Sequence, residues 1–271
     1  MEHRRARPPV RIDATVPSVA RMYDYYLGGK DNYPADREAC ERLLGRAPGT
    51  ALIARNNRRF LRRVVRRLSA EYGIRQFLDH GSGLPARENV HEVAQRVHED
   101  ARVVYIDHDP VVLAHGRALL EEDERTAVVR ADLRDTAGIL GHPRVTGLID
   151  FAEPVAALFV SVLHCVPDED APELLVRDLA RRLAPGSCLV VCQLVSDDAE
   201  TRRSVTDFML EVTGGAWGRV RERREVAACF EGLEVLEPGL VEVSAWRPGP
   251  EVAPGRPGGD LLEFGGVGRV G

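Results

Sequence analysis

Short apolar runs at 76–79, 102–107, 127–130, 156–163 and 188–194 alternate along the chain with stretches whose apolar positions recur at helical spacing, 89–97, 110–121, 171–183 and 198–212. Such alternation predicts an α/β fold with a mostly parallel sheet and helices on both faces. Two further runs, 233–237 and 240–246, are separated by little more than Pro238 and Gly239, which predicts an antiparallel hairpin at one sheet edge. Ahead of the alternating part, 18–72 reads as all-helical. Its last helix carries Phe60, Leu61, Val64, Val65 and Leu68 on one face and Arg58, Arg59, Arg62, Arg63, Arg66 and Arg67 on the other. The arginine face is either solvated or phosphate-binding.

The two ends differ in composition from the middle. Residues 1–14 are polar, basic and proline-bearing, and 249–271 are rich in glycine and proline, so both are expected to be flexible tails. Between them lie a helical segment, 15–72, and the core, 73–248. With 271 residues, 44% of them hydrophobic, the chain can close one large domain. A formal charge of −5 argues against nucleic acid as the main partner and favours a small molecule or a protein. No stretch approaches the roughly 20 apolar residues of a membrane span, and the basic N-terminus lacks the apolar core of a secretory signal. The 5 cysteines are scattered and odd in number, which suits reduced thiols of a cytoplasmic protein. Cys188 and Cys192 would face the same side of one strand, without the further ligands a metal needs. Lys30 is the only lysine, and a surface position suits it best.

The most informative stretch is Phe77-Leu-Asp79-His-Gly81-Ser-Gly83-Leu-Pro85. An apolar strand runs through an acid into a glycine turn, where the backbone can bend sharply and a ligand can approach it closely. The helix expected next would point its N–H groups at that ligand. Asp107 ends the following strand, where a carboxylate can hold both hydroxyls of a ribose. It could instead begin a capping box into Asp109-Pro110. Gly81-Ser-Gly83-Leu-Pro-Ala86 also satisfies the loose dinucleotide pattern. Asp79, however, suits a ligand's ammonium group and would repel a phosphate. Asp132 and Leu133 follow the third strand, an acid for an adenine amino group and an apolar cover for the ring, unless Asp132 caps a helix. His164, after the fourth strand, falls at the carboxyl end of the sheet, where it could act as a base or merely brace a loop.

The order of strand, acid and glycine turn, then Asp107, Ala-Asp132-Leu133, Ser161-Val-Leu-His164 and Leu183-Ala-Pro-Gly186, resembles the class I S-adenosylmethionine-dependent methyltransferases over 76–246. Two phrases and a run narrow it. The run from Pro17 through Tyr23-Asp24-Tyr25-Tyr26-Leu-Gly28-Gly29-Lys30-Asp31-Asn32-Tyr33 joins Ala54-Arg-Asn56-Asn57-Arg58-Arg-Phe60 and Asn89-Val-His91-Glu-Val-Ala. With these the folded chain resembles the actinobacterial S-adenosyl methyltransferases, formerly a domain of unknown function. The resemblance implies a Rossmann-like sheet, S-adenosylmethionine as cofactor, and His80, Gly81, Ser82 and Gly83 beneath its methionine part. It also implies Asp107 on the ribose with His108 beside it, Asp132 and Leu133 around the adenine, and Ser161 closing the floor. The N-terminal helices resemble a lid, from which Asn57 or Arg58 can reach the cofactor carboxylate; a helical cap that simply packs on the sheet is the alternative. Pro85 departs from the class pattern, which has a third glycine there.

Methyl transfer from a sulfonium needs alignment above all, and a base only where the acceptor must lose a proton. His164 is the candidate base and Tyr25 a candidate for orienting the acceptor. The Asn-Pro-Pro-Tyr signature of amino-methylating nucleic-acid enzymes is missing, so the expected acceptor is a small metabolite methylated on oxygen or nitrogen. A nicotinamide-dependent oxidoreductase, which should lack the terminal antiparallel strands, and a non-catalytic S-adenosylmethionine-binding regulator are the rival readings.

Overall fold

A computed structural model describes residues 12–121, 123–249 and 260–271. Three helices come first: α1 (Val19–Tyr26), α2 (Pro34–Arg46) and α3 (Thr50–Tyr72). The alternating part follows with β1 (Gln76–His80), α4 (Val90–Gln95), β2 (Arg102–Asp107), α5 (Pro110–Leu119) and β3 (Thr126–Arg130). Short helices α6 (Thr136–Leu140) and α7 (Pro143–Thr146) lead to β4 (Ala156–Val160), α8 (Pro172–Ala180), β5 (Cys188–Val195) and α9 (Ala199–Val212). The last elements are α10 (Arg223–Ala228), β6 (Glu234–Val235), β7 (Val241–Glu242) and β8 (Leu262–Arg269).

Local chemistry sets the helix ends. Asp109 caps α5 by accepting the Val111 amide at 2.8 Å, with Pro110 in the first helical position. Asp198 caps α9 in the same way through the Thr201 amide. Gly73, at φ 68°, ends the 23-residue α3 in the left-handed region.

The strands lie in the order β3-β2-β1-β4-β5-β8-β6, with β7 also on β8. From β3 to β5 all pairs are parallel. Because the chain fills one side of β1 with β2 and β3 and then crosses to β4 and β5, a crevice opens at the carboxyl ends of β1 and β4. Side chains alternate across the sheet. Phe77, Val103 and Val190 pack under the apolar face of α3, together with both Cys188 and Cys192. Leu78, Val104 and Val191 join the opposite core with Leu163, Val176 and Leu179. A third cluster ties the N-terminal helices to α9 through Met22, Ile53, Phe208 and Trp217.

Three expectations give way. The runs around β6 and β7 do not pair with each other; each pairs antiparallel with β8, β6 at Arg269 and Gly268 and β7 at Gly265 and Phe264. The antiparallel element is therefore β8 itself, drawn from the stretch 249–271 expected to be a flexible tail. It matches β5 over 8 residue pairs, from Cys188 opposite Arg269 to Val195 opposite Leu262. Its glycines serve close approach, because a Cβ on Gly265 would overlap the Val191 carbonyl oxygen and one on Gly268 would lie 2.8 Å from Leu233 Cδ1. The rest of the expected tails, 1–11 and 250–259, lies outside the described residues. Lastly, the arginine face of α3 is not uniformly solvated. Arg63 is buried and donates to the carbonyls of Trp246 and Val243 at 3.1 and 2.6 Å, tying α3 to the chain after β7.

Candidate active site

A cavity of about 680 Å³ sits over the carboxyl ends of β1 to β4. Its floor carries Asp79, Gly81, Ser82, Gly83, Asp107, His108, Asp132, Leu133 and Ser161, so these nine expected cofactor residues converge on one space. The side facing them is built by α1 and α3, which contribute Tyr23, Asp24, Asn57 and Arg58.

Asp79 is 5% exposed, and burial pushes its carboxyl up to about 7, against the attraction of Arg58 and with the repulsion of Asp107. Asp107 accepts the Gly83 amide on Oδ2 at 3.0 Å and the His108 and Asp109 amides on Oδ1 at 2.7 and 2.9 Å. Burial nevertheless raises its pKa. It does not cap α5, a task that belongs to Asp109. Likewise Asp135, not Asp132, caps α6. Asp132 is held instead by Arg134, whose Nε lies 2.9 and 3.0 Å from its two oxygens, and that pairing lowers its pKa. Ser161 has φ 59°, a strained backbone for a residue with a Cβ, at the end of β4. Its amide bonds the Cys192 carbonyl at 3.0 Å.

Four expectations about individual residues and one about a helix are corrected. His80 points away from the cavity, stacked on Phe159 at 4.4 Å, and burial lowers its pKa to about 4. Side-chain alternation along β1 places it opposite Asp79. His164 is 2% exposed, and its Nδ1 accepts the Leu194 amide at 3.2 Å. Burial, helped by the Arg221 charge, lowers its pKa to about 3. With that lone pair used and the ring neutral, the remaining hydrogen sits on Nε2, so His164 has no free base to offer. Tyr25 faces outward and donates to Glu41 at 2.6 Å; it is Tyr23, two residues earlier on α1, that lines the cavity. Asn57 does reach the cavity but spends its amide on Tyr23 Oη at 3.0 Å and its carbonyl on Cys192 Sγ at 3.2 Å, leaving Arg58 as the cationic group. Finally, the helix after the glycine turn begins only at Val90, capped by Asn89 and Glu92, so its N-terminus does not serve the turn.

The two glycines differ. A Cβ on Gly81 would overlap Val162 Cγ2, so this position is bare for the packing of β1 against the chain after β4. A Cβ on Gly83 would meet nothing within 4 Å, and its φ of 66° favours glycine. The run Gly28-Gly29 closes a turn around Asp24, whose Oδ2 accepts the Asp31 amide and Asn32 Nδ2 at 2.9 and 2.8 Å. Lys30 is exposed.

Two contributors were not singled out from sequence. Trp217, after α9, lines the cavity, and Glu263 on β8 meets Ser161 Oγ at 3.3 Å. Glu263 lies in the stretch whose glycine content masked a strand.

These groups fit a nucleoside carrying an amino-acid tail. Arg58 Nε is buried without a partner, so an anionic group has a donor waiting, and Asp79 beside it suits an ammonium. Asp107 Oδ2, which takes only the Gly83 amide, retains a lone pair for a ribose hydroxyl, and the space above Gly83 is open to a ligand.

A protein of Thermobifida fusca with a crystal structure is 42% identical, covering 94% of this chain and 96% of that one, with a TM-score of 0.86. A duf574 family protein of Streptomyces avermitilis is 39% identical over 96% of this chain and 100% of its own, with a TM-score of 0.88. An O-methyltransferase family protein of Burkholderia thailandensis, 14% identical over 82% of this chain and 57% of that one, shares the Rossmann-like fold with a TM-score of 0.51. No curated protein matches the chain. The family model described as S-adenosyl methyltransferase matches residues 5–271, and with the cavity and sheet above it establishes that the chain belongs to the S-adenosyl methyltransferase family, a methyltransferase whose cofactor is S-adenosylmethionine.

Proposed function

We propose that the chain methylates a small-molecule acceptor inside the 680 Å³ cavity. The observation that carries this reading is the convergence of Asp79, Gly83 and Asp107 on one floor beneath α1 and α3, in a space within the ~300–1,000 Å³ usual for small-molecule sites. Asp79 and Arg58 hold the amino-acid tail of the cofactor, Asp107 its ribose with His108 at the rim, and Asp132 with Leu133 its adenine. Ser161 closes the floor. The helices α1 and α3 act as a lid that keeps water from the reacting atoms.

The bound cofactor supplies an electrophilic methyl group on a positively charged sulfur. What the protein adds is alignment, since the displacement relieves charge and the acceptor's own lone pair is the nucleophile. His164 takes no part as a base. Tyr23, whose Oη donates to the Ala54 carbonyl and accepts from Asn57, is a fixed wall, and burial raises its pKa. The formal charge of −5 speaks against a nucleic-acid acceptor. All five cysteines are free, which suits a reducing compartment such as the cytoplasm, and among the described residues no helix is long and apolar enough to cross a membrane.

The test is calorimetry with S-adenosylmethionine, followed by incubation with radiolabelled methyl donor in a whole-cell extract. Binding with label transferred to low-mass products is the expected result. Binding with label found only on protein or nucleic acid would refute the acceptor class, and binding with no transfer at all would favour a regulator.

A further inference from the structure

Beside the main cavity lies a second one of about 70 Å³, and the two share Val19, Tyr23, Ser161 and Trp217. Its walls are mostly apolar: Met22, Ile53, Ala54, Leu194, Met209 and Leu261 among them. Two polar groups interrupt this lining without partners, Oε1 of Glu263 and Nε1 of Trp217, on side chains 0% and 4% exposed. His164 also lines it, with Nδ1 already spent on Leu194. An acid near the start of β8, with the Ser161 hydroxyl on one oxygen and no partner on the other, is a costly arrangement that a ligand would relieve.

The register of β8 puts Glu263 opposite Leu194, on the side of the sheet facing Ser161 and the N-terminal helices. A substituent in the slot therefore leaves the rest of its molecule at the junction over Ser161, the point where the two cavities meet. The slot has roughly half the ~150 Å³ that takes a benzene ring, so it admits a short arm and not a ring.

Trp217 can only donate. Burial lifts the carboxyl of Glu263 to about 8, so near neutrality it too carries a hydrogen to donate, alongside an oxygen that can accept. An uncharged oxygen, with lone pairs for both donors, satisfies the pair. An ammonium would face the Trp217 N–H and need an ionised glutamate, and a carboxylate would find no arginine or lysine in the lining.

Resting on the small-molecule reading above, we propose that this slot is the acceptor's recognition pocket, taking a short, uncharged, hydroxyl- or carbonyl-tipped arm of a largely apolar acceptor, bonded by Glu263 and Trp217.

The experiment follows the Trp217 indole N–H by nitrogen-15 NMR in protein saturated with S-adenosylhomocysteine, assigned with Trp246→Phe, while butanol, butanone, butylammonium and butyrate are titrated in turn. The two neutral oxygen probes should shift that resonance, and the two ions should not. Glu263→Gln, which keeps a donor and an acceptor, should retain most of the affinity; Glu263→Leu should lose about tenfold. The proposal is overturned if the ions shift the resonance as strongly, if no probe moves it, or if Glu263→Leu binds as the parent does. Should the leucine variant not fold, the four-probe comparison on the parent chain still decides. Calorimetry with S-adenosylmethionine on the same samples separates the two readings: no cofactor binding removes both, whereas intact cofactor binding with the wrong probe pattern removes only the slot.

Discussion

The amide of Gly83 donates to Oδ2 of Asp107 at 3.0 Å, joining the turn after β1 to the end of β2. Asp107, proposed above to hold the ribose, is thus kept in place by main-chain donors rather than by mobile side chains, which lowers the ordering cost of binding. Asp107→Ala is expected to weaken S-adenosylmethionine binding by about 1–3 kcal/mol, the range for losing charge-assisted bonds. Calorimetry checks it, and full affinity in the variant would refute the ribose assignment.

Asp79 is expected to make cofactor binding depend on pH. Its carboxyl, raised by burial to about 7 in the free protein, is protonated in slightly acid solution. A cofactor ammonium beside it favours the ionised form, so binding near pH 6 should release a proton and affinity should rise as pH goes from 6 to 8. Calorimetry in buffers of different ionisation enthalpy measures the release. Asp79→Asn should abolish both the release and the slope; a slope that survives would place the titrating group elsewhere.

Glu263 and Asp79 also bear on stability. Both have folded pKa values raised, to about 8 and about 7, from ordinary values of 4.5 and 3.8. Between those limits the unfolded chain has lost protons that the folded chain retains, so the contribution of each group is complete below its ordinary value and is lost as pH climbs through the folded one. Thermal melting should therefore show Tm falling from pH 5 to 8 less steeply in Glu263→Gln than in the parent. Parallel curves would mean the glutamate is ionised in the fold.

Glycines allow a paired test of packing. Gly265→Ala should destabilise by at least ~1–3 kcal/mol, because the added Cβ meets main-chain atoms of Val191 and Cys192 that cannot swing aside. Gly45→Ala, on the exposed side of α2 with nothing within 4 Å, should stabilise by about 0.5–1 kcal/mol. Denaturant melts of the two variants give the comparison; equal effects would contradict the placement of β8.

The parallel strands and the gathering of acids and glycines at one cavity were legible because their residues obey local rules. An apolar run ending in an acid and two glycines has few other uses, and Asp79, Gly83, Asp107 and Asp132 all line the cavity. What failed depended on side-chain direction or on distant contacts. Whether Tyr23 or Tyr25 faces inward is a matter of how α1 rotates on α2 and α3, and the sequence Tyr-Asp-Tyr-Tyr offers both. His164 follows β4, where the sequence suggests a base, yet it does not line the main cavity and the amide that occupies its Nδ1 comes from Leu194, 30 residues on. β8 was hidden because Gly265 and Gly268, signs of flexibility in isolation, are here the consequence of tight neighbours.

The position of β8 sets a rule for the order of assembly. A ribosome-bound chain that has not yet exposed residues 262–269 leaves the β5 edge without its 8-residue partner, an uncovered template for sticking to other chains. Glu263 arrives with that same segment, so a nascent protein can form the floor of the main cavity before it acquires the slot beside it.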